Sequence, residues 1–296
     1  MIDARGLLTF HKVCLAGSIS GAARDLNISQ PSVSNAVATL EARLGVRLFD
    51  RSRNGIVLTP EGETLKVRAQ MLHNLLGDAE QELATAREGV LGPLRVGGTP
   101  GALVSLLPAA INALEAQGTR LSVSVFERPD RDLNAMLRSG DIELAFVTTE
   151  IDVPPDDLEE ATFARDAFCL IVGRANDALP QRMSVAEAGG LSWVLPEAQG
   201  AFRRQVDALF VSSHMPIPHD VIRCDSLLTT KAIVRSSDRV TILPKDVASA
   251  ELSIGVLRAV ELDEARFARS VGIRTVRERM LSAAARQLLK AMTINP

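Results

Sequence analysis

The run Ser29-Gln30-Pro31-Ser32-Val33-Ser34-Asn35 gathers short hydrogen-bonding side chains with no charge among them. The chemistry open to such a set is recognition: hydroxyls and amides pair with base edges, and Asn35 suits a bidentate pair with adenine. Ser29 is placed to cap a helix, and Pro31 falls in its first turn, where a missing N–H does no harm. Val33, Val37, Leu40 and Leu44 then recur at steps of four, three and four, one narrow apolar stripe. The opposite side carries Pro31, Ser34, Asn35 and Ala38, with Gln30 and Ser32 at the helix entry. A small, uncharged, hydrogen-bonding face of this kind suits a helix lying in a major groove. Further on, Arg51 and Arg53 lead to Asn54-Gly55, the strongest short signal for a tight hairpin. Two guanidiniums there would reach the DNA backbone or minor groove.

Other elements must hold that face outward. A short helix over about 20–26, with Ser20 near its start and available to phosphate, meets a turn at Asn27-Ile28. Residues 5–17 predict a supporting helix whose inner face is Leu7, Leu8, Phe10, Val13 and Cys14; His11 is expected at its surface or as a cap. Thr59-Pro60-Glu61 starts another helix, with a capping hydroxyl, Pro in the first turn and an acid at the positive end. Along it Leu65, Ala69, Leu72, Leu76, Ala79, Leu83, Ala86 and Val90 alternate steps of four and three. Such a seam is either a core helix of a larger bundle or one half of a helix pair between two subunits. A helix of about thirty residues would reach roughly 45 Å, too far to bury its stripe on a small wing domain alone. Pairing would set two recognition helices on a roughly palindromic site.

Taken together, LLTFHKVCLAGSISGAARDLNISQPSVSNAVATLEARLGVRLFDRSRNGIVLTPEG resembles the N-terminal domain of LysR-type transcriptional regulators almost position by position. The resemblance continues more weakly through the rest of the chain, and it departs from the family at Asn35, where a basic residue is usual. It implies an N-terminal all-α winged helix-turn-helix (1–59) and a long linker, or dimerisation, helix (60–91). An α/β two-lobed periplasmic-binding-protein-like effector domain (92–296) follows. It further implies a homotetramer built as a dimer of dimers, double-stranded operator DNA as partner, RNA polymerase as a further partner if the protein activates, and control by a small-molecule effector.

The residues beyond Gly89-x-x-Gly92-Pro93 read independently as α/β. Short apolar runs starting at 94, 121, 142, 168, 191 and 240 alternate with helical stretches at 103–117, 130–139, 200–213 and 226–237. That alternation predicts mostly parallel strands in two lobes, the first over about 92–163 and 266–296, the second over about 164–265. Ligands of such folds sit at strand C-termini and between lobes. Thr99 and Pro100 in the Gly97–Gly101 turn, Arg128, Thr148, Thr149 and Gln199 fall at those ends and suit a small polar or anionic effector. By the resemblance, Thr99 matches a hydroxyl residue that contacts effector in many similar regulators.

Composition narrows the function classes. Net charge is −3, yet residues 1–60 hold seven basic against four acidic side chains, roughly +3, leaving about −6 elsewhere. One end therefore faces DNA, with an excess modest enough to need duplication. Three scattered cysteines in no C-x-x-C pattern read as reduced thiols of a cytoplasmic protein, and nothing resembles a membrane span. No metal ligand set is expected from four sparse histidines, and no cofactor motif occurs. Gly17-Ser18-Ile19-Ser20-Gly21 fails as a nucleophile elbow because its centre is Ile19, so no catalytic residue is assigned. The competing reading is a small-molecule binding protein or enzyme whose N-terminal domain only mediates assembly.

Overall fold

The computed structural model describes residues 2–52, 55–197, 200–264 and 268–294. The chain forms two compact units, Met1–Pro93 with Ala135–Ile142, and Leu94–Asn134 with Glu143–Pro296.

In the first unit, helix α1 (Ala4–Ala16) is capped by the Asp3 carboxylate and α2 (Ile19–Asp25) by the Ser18 hydroxyl. Helix α3 (Gln30–Leu44) is capped by Ser29, which accepts the Ser32 N–H at 3.3 Å. Strands β1 (Phe49–Ser52) and β2 (Gly55–Leu58) pair antiparallel, with Ser52 opposite Gly55. Helix α4 (Pro60–Arg87) follows behind the Thr59 cap. Val33, Val37 and Leu40 bury the stripe of α3 against Phe10 and Val13 of α1 and Ala22 of α2. Burying each such aliphatic side chain contributes about 1.5–3 kcal/mol, enough to fix which face of α3 points out. Gly45 ends α3 at φ 70°, a left-handed conformation that glycine adopts without a Cβ clash.

Two expectations change here. The α4 seam divides: Ala69 is fully buried and Leu65 and Leu72 pack on the α1 core, whereas Leu76 and Leu83 are 44 % and 69 % exposed. The C-terminal half of the seam is therefore left open within the described residues of this chain. Val90 does not belong to the seam, because α4 stops at Arg87 and Val90 opens a strand.

His11 is buried instead of lying at the surface, its ring 4.8 Å from that of His73, and neither ring nitrogen finds a hydrogen-bond partner among the described residues. Burial, then the His73 and Lys12 charges, lower its pKa to about 4, opposed only by Asp141. The folded state thus binds a proton less readily than the unfolded chain. The stability that His11 contributes is fully present above about pH 6.5 and is lost as pH falls from there towards 4, at up to about 1.4 kcal/mol per pH unit. In His11→Leu, with the orphan nitrogens gone, the drop in Tm between about pH 7.5 and pH 5 should shrink, which calorimetry on the whole chain would measure.

The second unit contains β3 (Val90–Gly98, entering from the first), α5 (Pro100–Ala116), β4 (Arg120–Glu127), α6 (Asp130–Ser139), β5 (Leu144–Thr148) and the long β6 (Leu158–Val172). Then come β7 (Arg182–Met183), α7 (Val185–Ala188), β8 (Trp193–Leu195), α8 (Ala201–Ser212), β9 (Val221–Arg223) and α9 (Leu227–Ser236). Strand β10 (Val240–Pro244), α10 (Ser249–Ser253), β11 (Arg258–Leu262), β12 (Ala268–Val276) and α11 (Ala283–Ile294) complete it. Strand order is β4-β3-β5-β12-β6-β10-β8-β9, with β11 pairing β6 and β7.

The sheet is mixed, not mostly parallel. Pairs β3–β5, β10–β8, β8–β9 and β11–β7 are parallel, but β6 and β12 run antiparallel to each other and to their neighbours. The reason is the two-lobed plan: the chain leaves the first lobe along β6 and returns along β12, in opposite directions. The second lobe packs on Trp193, whose ring meets Phe210 edge-on at 5.2 Å.

Candidate functional site

Gln30, Pro31, Ser32, Asn35 and Ala38 are all exposed on α3, with Ser34 half-buried beside them. Ser20, in the first turn of α2, is exposed too, and with Arg24, Asn27, Ser29 and Gln30 it lines a shallow depression where α2 meets α3. The apolar contacts of the unit are made by the stripe behind this surface, which leaves the polar side open to solvent. Asn27 turns the chain between the two helices at φ 53°. Arg24, Arg43 and Arg47 are exposed and add positive charge around the same helices.

Glu41 sits on the back of α3, and its Oε1 accepts the N–H groups of Leu48 at 2.7 Å and Phe49 at 3.3 Å. One carboxylate thus ties the base of the hairpin to α3. Sequence reasoning passed over this role; the signal available was an acid placed just before Leu44-Gly45 within an otherwise small-residue helix. In the hairpin Arg51 stands opposite Ile56 in register, while Arg53 and the Asn54 of the tip lie outside the described residues.

In the second unit the C-terminal ends of β3, β4 and β5 lie side by side. Thr99 caps α5 without a side-chain cap bond, and its N–H donates to Phe146 O at 3.0 Å. The Arg128 N–H donates to Gly98 O at 3.1 Å, and its exposed guanidinium turns back to Glu127 O. Thr99 and Pro100 are half-buried and Thr148 is buried. Thr149 is withdrawn: its hydroxyl pairs with that of Thr162 at 2.8 Å and its N–H with Ser270 O at 2.9 Å. Gln199 lies outside the described residues.

Around the crossing strands the chain places charges that sequence reasoning did not single out. Glu150, at φ 62°, accepts from Ser270 Oγ at 2.6 Å, and this bond first, with Arg165 and Thr162 adding to it, holds its carboxyl below the usual range. Asp166 of β6 accepts the Asp246 N–H at 3.2 Å; burial, then the Asp246 charge, push its pKa up to about 6. Arg269 of β12 stands opposite Asp166 in register and is only 2 % exposed. A residue at the start of a short strand, followed by Ser-Val-Gly-Ile, gives no hint that its charge is buried.

Among the described residues there is no helix long and apolar enough to cross a membrane and no group of three metal-ligating side chains.

Comparison with known proteins gives a consistent result. Residues 4–63 match the family described as bacterial regulatory helix-turn-helix protein, lysR family, and residues 87–293 match the LysR substrate binding domain. The chain is 25 % identical over 273 residues to the HTH-type transcriptional regulator GalR of Pseudomonas putida, covering 92 % of this chain and 69 % of that protein. Its fold is similar to that of a full-length OxyR variant from Pseudomonas aeruginosa (TM-score 0.70, 22 % identity, 99 % of this chain and 95 % of that one). It is similar to the same degree to full-length CbnR complexed with its target DNA (TM-score 0.71, 21 % identity, 99 % and 100 %).

Proposed function

This chain belongs to the LysR family of transcriptional regulators, and from that membership we propose that it reads a specific operator with the polar face of α3. Pro31, Ser34, Asn35 and Ala38 contact base edges, Gln30 and Ser32 enter the groove, Ser20 meets phosphate, and Arg51 and Arg53 of the wing hold backbone or minor groove. The observation that carries this reading is the exposed, uncharged, hydrogen-bonding side of α3 standing opposite its buried stripe.

The exposed half of the α4 seam supports pairing with a second copy, and a dimer of dimers follows by family analogy, acting in the cytoplasm on double-stranded DNA and, in an activator, on RNA polymerase. A small anionic effector occupies the crevice at Thr99, Pro100, Arg128 and Thr148, and Gln199 is a further expected contact. Thr149 supports that crevice through its hydroxyl bond to Thr162.

The test is fluorescence anisotropy on a DNA site selected in vitro by the wild-type chain. Asn35→Ala should lose about 1–3 kcal/mol on that site, a roughly five- to 150-fold weaker Kd, and almost nothing on unrelated DNA. The slope of affinity against salt should stay the same, since no charge is removed. Selection that yields no preferred sequence, or equal losses on all DNA, would overturn the reading.

A further inference from the structure

We infer that Thr149–Asp152 is a strap that holds the two lobes of the second unit at one opening, with Glu150 as its fastening. The inference rests on the effector reading only for the strap's purpose, which is to set how readily the lobes close on a ligand.

The strap begins where β5 ends. That strand lies in the sheet of the first lobe, paired with β3 and β12, and both Thr148 and the following Thr149 are buried. Glu150 then turns the chain at φ 62°, in the left-handed region. Glycine and asparagine go there readily; for a glutamate the conformation is strained and persists only where its surroundings hold it. Here three side chains do so. The Glu150 carboxylate accepts from Ser270 Oγ of β12 at 2.6 Å, and from Thr162 Oγ1 at 3.2 Å and Arg165 Nη2 at 3.3 Å, both of β6. Strands β6 and β12 are the two that carry the chain out to the second lobe and back, so one carboxylate bridges both. Beside it the Thr149 N–H donates to Ser270 O at 2.9 Å.

Two residues further on, Asp152 pairs with Arg204 near the start of α8. Helix α8 belongs to the second lobe, because its Val206, Leu209 and Phe210 share a core with Trp193. The strap therefore runs from the first-lobe sheet, past both connecting strands, to a helix of the second lobe. Its ion pairs, Arg165–Glu150 and Arg204–Asp152, are exposed and each adds little alone. The short bond from buried Ser270 is the firm one. Once that bond is lost, the strained residue relaxes to negative φ, which redirects the chain ahead of Asp152 and parts it from Arg204. A strap that must release before the lobes move weakens ligand binding in proportion to the fraction of chains still fastened.

The experiment is pulsed dipolar spectroscopy on the whole chain, spin-labelled at two exposed positions through Glu115→Cys on α5 and Ala208→Cys on α8. Cys14, Cys169 and Cys224 are replaced by alanine, and labelled chains are diluted with unlabelled ones so that only distances within one chain are read. The strapped chain should give one narrow distance distribution. Glu150→Ala removes the bonds and keeps the strain, so the ratio of loosened to strapped chains should rise roughly fivefold or more, the factor such strain represents. Glu150→Gly removes bonds and strain together and should loosen the lobes less. Asp152→Ala cuts only the far end, at an exposed site where the fold is not at stake, and should widen the distribution too. An unchanged distribution in either Glu150→Ala or Asp152→Ala would overturn the strap, and the second variant decides alone if the first does not fold. Equal loosening in Glu150→Ala and Glu150→Gly would overturn the part played by strain. No ligand enters these measurements, so the strap can fail while the effector crevice stands.

Discussion

Gly62→Ala should abolish operator binding by unseating the wing from α4. A Cβ there would stand 2.2 Å from Leu48 O, 2.9 Å from Leu58 Cδ2 and 3.1 Å from the Leu48 carbonyl carbon. Two of those atoms are backbone, and they cannot yield easily. Leu48 O already accepts the Thr59 N–H at 3.0 Å, and the Leu48 N–H is held by Glu41. Relief therefore requires α4 to lift, which breaks the Thr59 cap on Gly62 N and the Thr59 hydroxyl bond to Arg47 O. A buried clash with loss of a cap costs about 3–5 kcal/mol. In a unit of this size that lowers Tm by more than about 10 °C. Calorimetry and anisotropy on the purified variant check it: a native Tm with full operator affinity would show that the α4–wing junction does not matter.

The second large effect is expected from Leu76→Glu combined with Leu83→Glu. Both side chains are exposed on the half of the α4 seam that nothing in the described chain covers, so the fold of one copy should be unchanged. If that half is the dimer seam, two buried carboxylates per chain would face each other across it and pairing would fail. Losing the second recognition helix removes the effective-concentration gain, so operator affinity should fall by a factor of about 100 or more. Sedimentation velocity reports the assembly and anisotropy the affinity. A double variant that still sediments and binds like wild type would remove α4 from the interface.

How much of this was legible in the sequence depends on how local the cause is. The α3 stripe, the caps at Ser29 and Thr59 and the hairpin around residue 54 are short-range signals, and strand pairing and capping follow them closely. The α4 seam was legible as a period but not in its division, because what covers Leu65, Ala69 and Leu72 is α1, many residues away. His11 was misplaced for the same reason, since its cover comes from α4 through His73. The first half of β6, with Glu159, Glu160 and Thr162, escaped notice because it pairs with β12 on one side only and so lacks a continuous apolar run. Arg269 and Asp166 were invisible for a further reason: charge is read from sequence as exposure, and only tertiary structure reveals that both side chains are buried.

The most direct measurement of the central claim is a hydroxyl-radical footprint of the wild-type chain on its selected DNA site. The account predicts two protected tracts on one face of the duplex, separated by about 10 base pairs or a multiple of that spacing. In Asn35→Ala both tracts should weaken together. A single tract, or protection spread evenly along the DNA and unaltered in Asn35→Ala, would contradict it.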